Sequence, residues 1–269
     1  MSGVMWDEPE LAERYDRMSD SQFASGCMLV DRMHAGKGDV VLDVGCGTGR
    51  LASYVSKVVG PSGYVVGIDP SPHRVRIADR KRRIDATKNI VFMIGRGENL
   101  GAFFENAFDH IYYSSVFHWI EEKDIALKEA YRALKPGGNV GITTVDKDRQ
   151  FAMKKAMEDI FSKYPPAEDL KADDFSKMLV SKKELEKMLA SSGFANVGID
   201  VLEEKQYYPS PEVFLQFIEA SSFGNFLRNV PEECRASVRQ DIGKELEKMR
   251  TDKGIELQTN VMYAIATKR

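Results

Sequence analysis

Three glycines and two acidic residues stand where two predicted strands end, and they are the residues best suited to bind a ligand. Gly45, Gly47 and Gly49 are spaced two apart, directly after the apolar run 40–44. Glycine lets the backbone approach a ligand closely, and the helix that follows offers unpaired N–H groups and the positive end of its dipole. Asp69 closes the next predicted strand, where a carboxylate can accept from two ribose hydroxyls. The pattern predicts an adenosine-type ligand.

The glycine spacing and the acid before it restrict which adenosine-type ligand can bind. A dinucleotide-binding loop has the spacing Gly-x-Gly-x-x-Gly, whereas this loop has Gly-x-Gly-x-Gly. Asp43 lies two residues before the first glycine, where its charge would repel a pyrophosphate. It would suit a ligand with a positive centre and an amino group, such as S-adenosylmethionine.

The segment 42–49, Leu-Asp-Val-Gly-Cys-Gly-Thr-Gly, resembles motif I of class I S-adenosylmethionine-dependent methyltransferases. The resemblance implies that S-adenosylmethionine is the cofactor and S-adenosylhomocysteine the product. It assigns the ribose hydroxyls to Asp69 and the methionine and ribose portions to the loop backbone. In the turn, Cys46 is expected to be a small filler. The expected cofactor-binding residues are Asp43, Gly45, Cys46, Gly47, Thr48, Gly49, Asp69, Pro70, Arg74, Gly97, Glu98 and Ser114, with Tyr15 and Gln22 from an N-terminal helix over the cofactor.

The loop after the third predicted strand departs from the family pattern. The family usually has Gly-Asp-Ala-Glu there, and its Asp tends to accept from the adenine amino group. This chain has Gly-Arg-Gly-Glu, and arginine offers no acceptor. Either the backbone of Arg96 and Gly97, or Glu98, contacts the adenine, or Arg96 points outward.

The segment 108–119 resembles the Phe-Asp…(His/Gln)-Trp segment of small-molecule methyltransferases such as the trans-aconitate, malonyl-carrier-protein and juvenile hormone acid O-methyltransferases. The resemblance places Trp119 beside the substrate, with its indole N–H donating to a carboxylate. His118 is the expected catalytic residue, as a donor or a proton acceptor. The alternative is that both rings only cap the core. Gln22 and Tyr208 complete the expected substrate contacts.

Strands and helices alternate along the chain, which predicts an α/β fold with a doubly wound, mostly parallel sheet. The resemblance implies seven strands in the order 3-2-1-4-5-7-6, with strand 7 antiparallel. The predicted strands cover 40–44, 64–69, 90–94, 108–113, 139–144, 196–206 and 255–267. The expected organisation is an N-terminal helical lid (1–35), a cofactor-binding core (36–146), a helical substrate cap (147–180 and 207–250) and the rest of the sheet (181–206 and 251–269).

Composition and charge restrict the partners. A net charge of −3 does not favour a general nucleic-acid binder, and the basic run in 74–88 is interpreted as a solvated helix face rather than a nucleic-acid surface. The chain shows no signal segment and no run of about 18 apolar residues, so a cytoplasmic protein without membrane contact is expected. Its three cysteines and four histidines have no metal-ligand spacing. A small-molecule substrate and a monomer or homodimer are expected.

The expected reaction is O-methylation of a small carboxylate. A carboxylate needs no strong base, and the sequence shows no obvious acid–base constellation or metal cluster. Two alternatives stay open: C- or N-methylation of a small metabolite, and a binding protein that keeps the fold without catalysis.

Overall fold

The computed structural model describes residues 7–103, 105–149, 153–164, 178–224, 226–227 and 230–269. Its centre is a mixed sheet in which the strands follow the order β3-β2-β1-β4-β5-β8-β6. The strands are β1 (Val40–Val44), β2 (Tyr64–Asp69), β3 (Ile90–Ile94), β4 (Phe108–Ser114), β5 (Leu134–Val145), β6 (Ala195–Tyr208), β7 (Arg250–Thr251) and β8 (Gly254–Thr267).

The strand directions confirm the predicted topology. Strands β1 to β5 pair with one another in parallel, whereas β8 is antiparallel to both β5 and β6. The last strand therefore takes the position expected for strand 7. The two-residue β7, which pairs only along β8, was not predicted.

Several of the helices begin at cap residues that are recognisable in the sequence. They are α1 (Pro9–Met18), α2 (Asp20–Met33), α3 (Arg50–Val59), α4 (Pro72–Ile84), α5 (Lys123–Ala133), α6 (Lys154–Phe161), α7 (Lys182–Ser191), α8 (Pro211–Ser221) and α9 (Glu232–Glu247). Ser71 caps α4 by accepting from the backbone N–H of Arg74, and Ser181 and Glu184 form the predicted capping box of α7. None of the helices in the described ranges is long and apolar enough to cross a membrane.

Helices cover both faces of the sheet. One hydrophobic cluster joins the sheet to α5 and α7 through residues such as Leu127 and Leu185, and a second joins it to α2 and α3 through Leu29 and Val55. Residues 261–264 of β8 are all buried, so the alternation of buried and exposed residues typical of a half-exposed strand fails there. The reason is that this strand lies inside the sheet and is covered on both faces.

The segments predicted to form the cap have a hydrophobic cluster of their own. It includes Phe161 of α6, Phe214 and Phe217 of α8, and Ile242 of α9. Most of 165–180 lies outside the described residues, as do 150–152, so the predicted cap boundaries stay a prediction.

Strand β5 is longer than predicted. The sequence Lys135-Pro136-Gly137-Gly138 was expected to separate a helix from a strand at 139–144, yet β5 already begins at Leu134. Gly137 donates its N–H to the carbonyl of Lys268, and Lys268 donates to the carbonyl of Gly138. Pairing with the residue that follows β8 therefore extends the sheet into the glycine pair.

Candidate active site

The glycine loop is folded against the end of β2. The N–H groups of Gly45 and Cys46 both donate to the carbonyl of Ile68, at 2.7 and 2.9 Å, and Gly49 donates to the carbonyl of Cys46 at 2.9 Å. These bonds turn the chain sharply from β1 into α3. The loop and the first turn of α3 consequently lie beside the carboxyl end of β2, where Asp69 stands.

Two side chains pack closely on the loop. A Cβ at Gly45 would lie only 2.3 Å from Cγ2 of Val116, and Gly45 has a φ of +78°, so this position requires glycine. At Gly47 the ring of Tyr15 lies 3.4 Å from the place of a Cβ. The loop is thus covered by α1 on one side and by the segment after β4 on the other.

Asp69 is held rigidly at the loop. Its carboxylate accepts from the backbone N–H of Gly47 at 2.9 Å and from that of Ser71 at 2.8 Å, and only 4% of the residue is exposed. Burial raises the pKa of Asp69, while the charge of Arg74 and the two N–H donors oppose that rise. A carboxylate held in this orientation suits the binding of ribose hydroxyls, which is the role that the sequence assigns to Asp69.

Asp43 is buried, and no cation among the described residues donates a hydrogen bond to it. The hydroxyl of Tyr112 donates to its carboxyl at 2.8 Å, because the two residues are paired in register on β1 and β4. The pKa of Asp43 is raised to about 8. Burial is the main cause, the charge of Asp69 adds to the rise, and the Tyr112 hydrogen bond opposes it. A buried acid of this kind fits a ligand that brings its own positive charge.

Four other predicted cofactor residues lie in or near the loop. Burial raises the pKa of the Cys46 thiol well above its usual range, as suits a small filler rather than a nucleophile. Thr48 is buried, and its carbonyl accepts from Lys81 at 3.4 Å. Ser114, at the end of β4, packs under α2, with its hydroxyl 2.9 Å from the place of a Cβ at Gly26. Pro70 is half-buried between Asp69 and the cap of α4.

The loop after β3 shows how this chain accommodates its arginine. The Arg96 side chain is exposed, which is the outward alternative. Gly97 is buried, and a Cβ there would lie 3.0 Å from Val44 and 3.2 Å from the Tyr113 ring. Burial lowers the pKa of Lys123, and the charge of the half-buried Glu98 opposes part of that lowering. Adenine contacts by Gly97 and Glu98 stay a prediction.

The lid helices are attached in different ways. The apolar face of α2 is buried on the sheet, whereas α1 is joined to α4 by the ion pairs Arg80–Glu13 and Lys81–Asp16. The basic face of α4 thus binds the lid through at least two of its residues. Gln22 accepts from the hydroxyl of Ser21 on α2, and its contact with a ligand stays a prediction.

Arg74 joins the core to both the N-terminal segment and the cap. It is 4% exposed, its Nε lies 3.1 Å from Asp7, and its Nη2 donates to the carbonyl of Ala220 at 2.8 Å. The guanidinium lies between two rings, 4.3 Å from the centroid of Tyr15 and 4.0 Å from that of Phe223. These contacts occupy its charge, so the predicted cofactor contact of Arg74 stays a prediction.

The two rings predicted to lie beside the substrate meet the cap. Trp119 packs edge-on against Phe223, with centroids 5.6 Å apart and planes at 77°, and His118 lies 5.1 Å from Trp119. Burial, helped by the charge of Lys123, lowers the pKa of His118 to about 3. The imidazole is therefore neutral at physiological pH, which favours hydrogen bonding over proton acceptance.

These contacts close into a ring over the glycine loop, which we call the contact ring. It runs through Gly45, Val116, Trp119, Phe223, Arg74, Tyr15 and Gly47. Two of the residues that shape it, Ser115 and Phe223, have left-handed φ values of +55° and +56°. For residues other than glycine this conformation costs about 1–2 kcal/mol each. Such strain concentrates at functional sites.

Tyr208 lies in the cap cluster. Its hydroxyl donates to Gln206 at 2.7 Å, and its ring packs on Phe214 and Phe217. The substrate contact expected of Tyr208 stays a prediction.

The sequence alone points to neither Asp7 nor Tyr112 as a site residue, and it assigns no individual role to Phe223. The pairing of Tyr112 with Asp43 could have been found, since aligning the two predicted strands in register places them side by side. The Asp7–Arg74 pair spans 67 residues and leaves no local signal.

Comparison with known proteins identifies the family. Residues 35–193 match the family described as "Methyltransferase domain". A demethylmenaquinone methyltransferase of Lactobacillus johnsonii is 30% identical over 207 residues, which cover 71% of this chain and 84% of that protein. The ubiquinone/menaquinone biosynthesis C-methyltransferase UbiE of Hydrogenovibrio crunogenus is 32% identical over 201 residues, with coverages of 68% and 78%.

A solved structure shares the fold. The SAM-dependent methyltransferase from Aquifex aeolicus superposes with a TM-score of 0.57 at 21% identity, over 96% of this chain and 98% of that one. The sheet topology, the glycine loop between two buried acids and these relatives all point to the same family. The chain belongs to the class I S-adenosylmethionine-dependent methyltransferases, with S-adenosylmethionine as its cofactor and a small molecule as its acceptor.

Proposed function

We propose that this enzyme methylates a carbon atom of a small, uncharged aromatic acceptor of the quinone type. The observation that carries the proposal is the aromatic seam between core and cap, formed by Trp119 and Phe223. It closes the contact ring over the glycine loop, where the acceptor has to approach the methyl group of the bound cofactor. Flat aromatic walls favour a flat aromatic ligand.

The charges near this seam support a neutral acceptor. Arg74 is paired with the buried Asp7, and Lys123 donates to the carbonyl of Ile120 at 2.7 Å. His118 is neutral because burial lowers its pKa to about 3. A carboxylate acceptor would compete with the buried Asp7 for the charge of Arg74. The O-methylation of a carboxylate expected from the sequence also has no support among the relatives.

The names of the relatives support a carbon acceptor. The two relatives reported above are a demethylmenaquinone methyltransferase and a C-methyltransferase of ubiquinone and menaquinone biosynthesis. Carbon methylation is one of the alternatives that the sequence reasoning left open. We transfer only the chemical class of acceptor, a quinol-type ring with a free ring carbon.

The chain's own residues have mainly to align the reactants and exclude water. The bound cofactor supplies an activated methyl group on a sulfonium. Alignment can account for about 7–11 kcal/mol of a barrier. Trp119 and Phe223 hold the acceptor ring, and Val116 and Tyr15 cover the loop. After the new bond forms, the ring carbon loses its proton to solvent, since with a pKa of about 3 His118 is too weak a base to take it efficiently.

An acceptor panel tests the proposal. The purified enzyme is incubated with S-adenosylmethionine and with hydroquinones that have a free ring carbon, small carboxylic acids, or small amines, and S-adenosylhomocysteine is measured against a reaction without acceptor. We expect turnover of hydroquinones above that background. Turnover of acids or amines in their place would refute a neutral carbon acceptor.

A further inference from the structure

Phe223 is a buried phenylalanine that serves none of the three hydrophobic clusters. It is 6% exposed, yet it is not a member of the two clusters of the sheet or of the cap cluster, among the described residues. The neighbouring Phe226, in contrast, packs against the cap cluster. The burial of Phe223 therefore calls for an explanation other than the packing of a core.

Its backbone is in an unfavourable conformation. Phe223 follows the C-terminus of α8 with a φ of +56°, in the region that glycine favours, and the next residue is a glycine with a φ of +77°. A bulky residue is an outlier there. The strain is avoidable in principle, because Gly224 is the next residue. If α8 ended one residue later, glycine would occupy the strained position instead of phenylalanine.

The strained conformation aims the ring at the active site. On one side the ring meets Trp119 edge-on at 5.6 Å, and on the other it covers the guanidinium of Arg74 at 4.0 Å. Arg74 also binds the carbonyl of Ala220 at 2.8 Å, in the last turn of α8, where a cation complements the helix dipole. The end of the cap helix is thus clamped to the core.

We propose that Phe223 is a specificity-determining residue, forming beside Trp119 the cap-side wall that limits acceptor size, and that Arg74 is the positioning residue that holds it there. The proposal rests on the proposed function in one respect, that the acceptor binds at the aromatic seam. It does not depend on which atom of the acceptor receives the methyl group.

The test is the size preference of the variant Phe223→Ala. The kcat/KM is measured for a short and a long member of each acceptor series, with hydroquinones, carboxylic acids and amines that differ only in the length of one alkyl substituent. We expect the long-to-short ratio to rise about tenfold, since a methylene or more of misfit in an apolar site is worth that much. The matched control is Phe226→Ala, which removes a cap ring that contacts Phe161.

Arg74 needs a readout that a merely structural role would not change. Arg74→Met is expected to shift the same ratio in the same direction, and Arg74→Lys to restore part of it, because lysine can still pair with Asp7. An equal fall in kcat/KM for short and long acceptors in Phe223→Ala, or an equal shift in Phe226→Ala, would overturn the proposal. An unchanged ratio in Arg74→Met would overturn the role of Arg74.

A second measurement needs no acceptor. The chain has two tryptophans, so in a Trp6→Phe background Trp119 is the sole source of tryptophan fluorescence. Phe223→Ala should shift its emission to longer wavelength by opening the indole to water, whereas Phe226→Ala should not. If the emission of Phe223→Ala does not shift, Phe223 does not shield Trp119, which contradicts its proposed role as a wall of the site. If acids or amines replace hydroquinones as acceptors, the proposed function fails while the ratio still tests Phe223.

Discussion

Replacing Asp43 by asparagine should stabilise the cofactor-free enzyme at neutral pH and weaken cofactor binding. Asparagine has nearly the same shape and keeps an oxygen for the hydroxyl of Tyr112, but it cannot ionise. Burial raises the pKa of Asp43 to about 8, from an unfolded value of about 4. Its protonated form therefore contributes stability that is fully present below about pH 4 and is lost as the pH rises through about 8.

The size of this effect follows from linkage. Between these two pKa values the folded chain binds one more proton than the unfolded chain, so the free energy of unfolding falls by about 1.4 kcal/mol per pH unit. By neutral pH the loss reaches about 4 kcal/mol, because the carboxyl is fully buried. Asp43→Asn removes this loss, and its advantage over the native protein should grow with pH.

Urea unfolding of both proteins without cofactor, from about pH 5 to about pH 9, measures this difference. The control is Tyr112→Phe, which removes the hydrogen bond that lowers the pKa of Asp43 and should extend the decline to higher pH. Calorimetry should show S-adenosylmethionine binding at least about tenfold weaker in Asp43→Asn, since the positive ligand loses its ionised partner. A difference in unfolding free energy that is constant across the pH range would refute the reasoning.

Three further predictions concern the site and its supports. Asp69→Asn should weaken S-adenosylmethionine binding by about tenfold or more in calorimetry, because an amide nitrogen cannot replace a carboxylate oxygen as acceptor for the loop N–H groups; an unchanged Kd would count against this. Gly45→Ala should lower the Tm and the cofactor affinity, and Val116→Ala in the same chain should restore part of the Tm; no recovery in the double variant would contradict the close contact. Arg74→Met should lower the free energy of unfolding in urea by about 3–5 kcal/mol because a buried acid loses its partner, whereas Arg76→Met, at an exposed position of the same helix, should change it by less than about 0.5 kcal/mol; equal losses would contradict a buried pair.

The core fold was predictable because its signals are local. The glycines after β1, the Ser-Pro start of α4 and the capping box at Ser181 and Glu184 each fix a boundary within a few residues. The start of β5 was not predicted, because it depends on pairing of Leu134 with Phe108 of β4 and of the glycine pair with Lys268, both distant in sequence. Local patterns do not carry information of that kind.

The site was predictable where it follows from strand order and not where it depends on the lid and cap. Asp43 and Asp69 could be placed together because parallel strands end at one edge of a sheet. The contacts that close the site instead join distant segments, as Asp7 with Arg74 and Trp119 with Phe223. The left-handed φ of Phe223 has no sequence signal at all, since phenylalanine does not favour it.

The most direct test of the proposed methylation of a neutral ring carbon is the bond that the transferred methyl group forms. The enzyme is incubated with S-adenosylmethionine labelled with carbon-13 in its methyl group and a hydroquinone acceptor, and the product is examined by carbon-13 NMR before and after alkaline hydrolysis. We predict a methyl signal at a chemical shift typical of carbon attached to a ring, unchanged by alkali. A methyl signal typical of attachment to oxygen or nitrogen, or one released by alkali as methanol, would contradict the account.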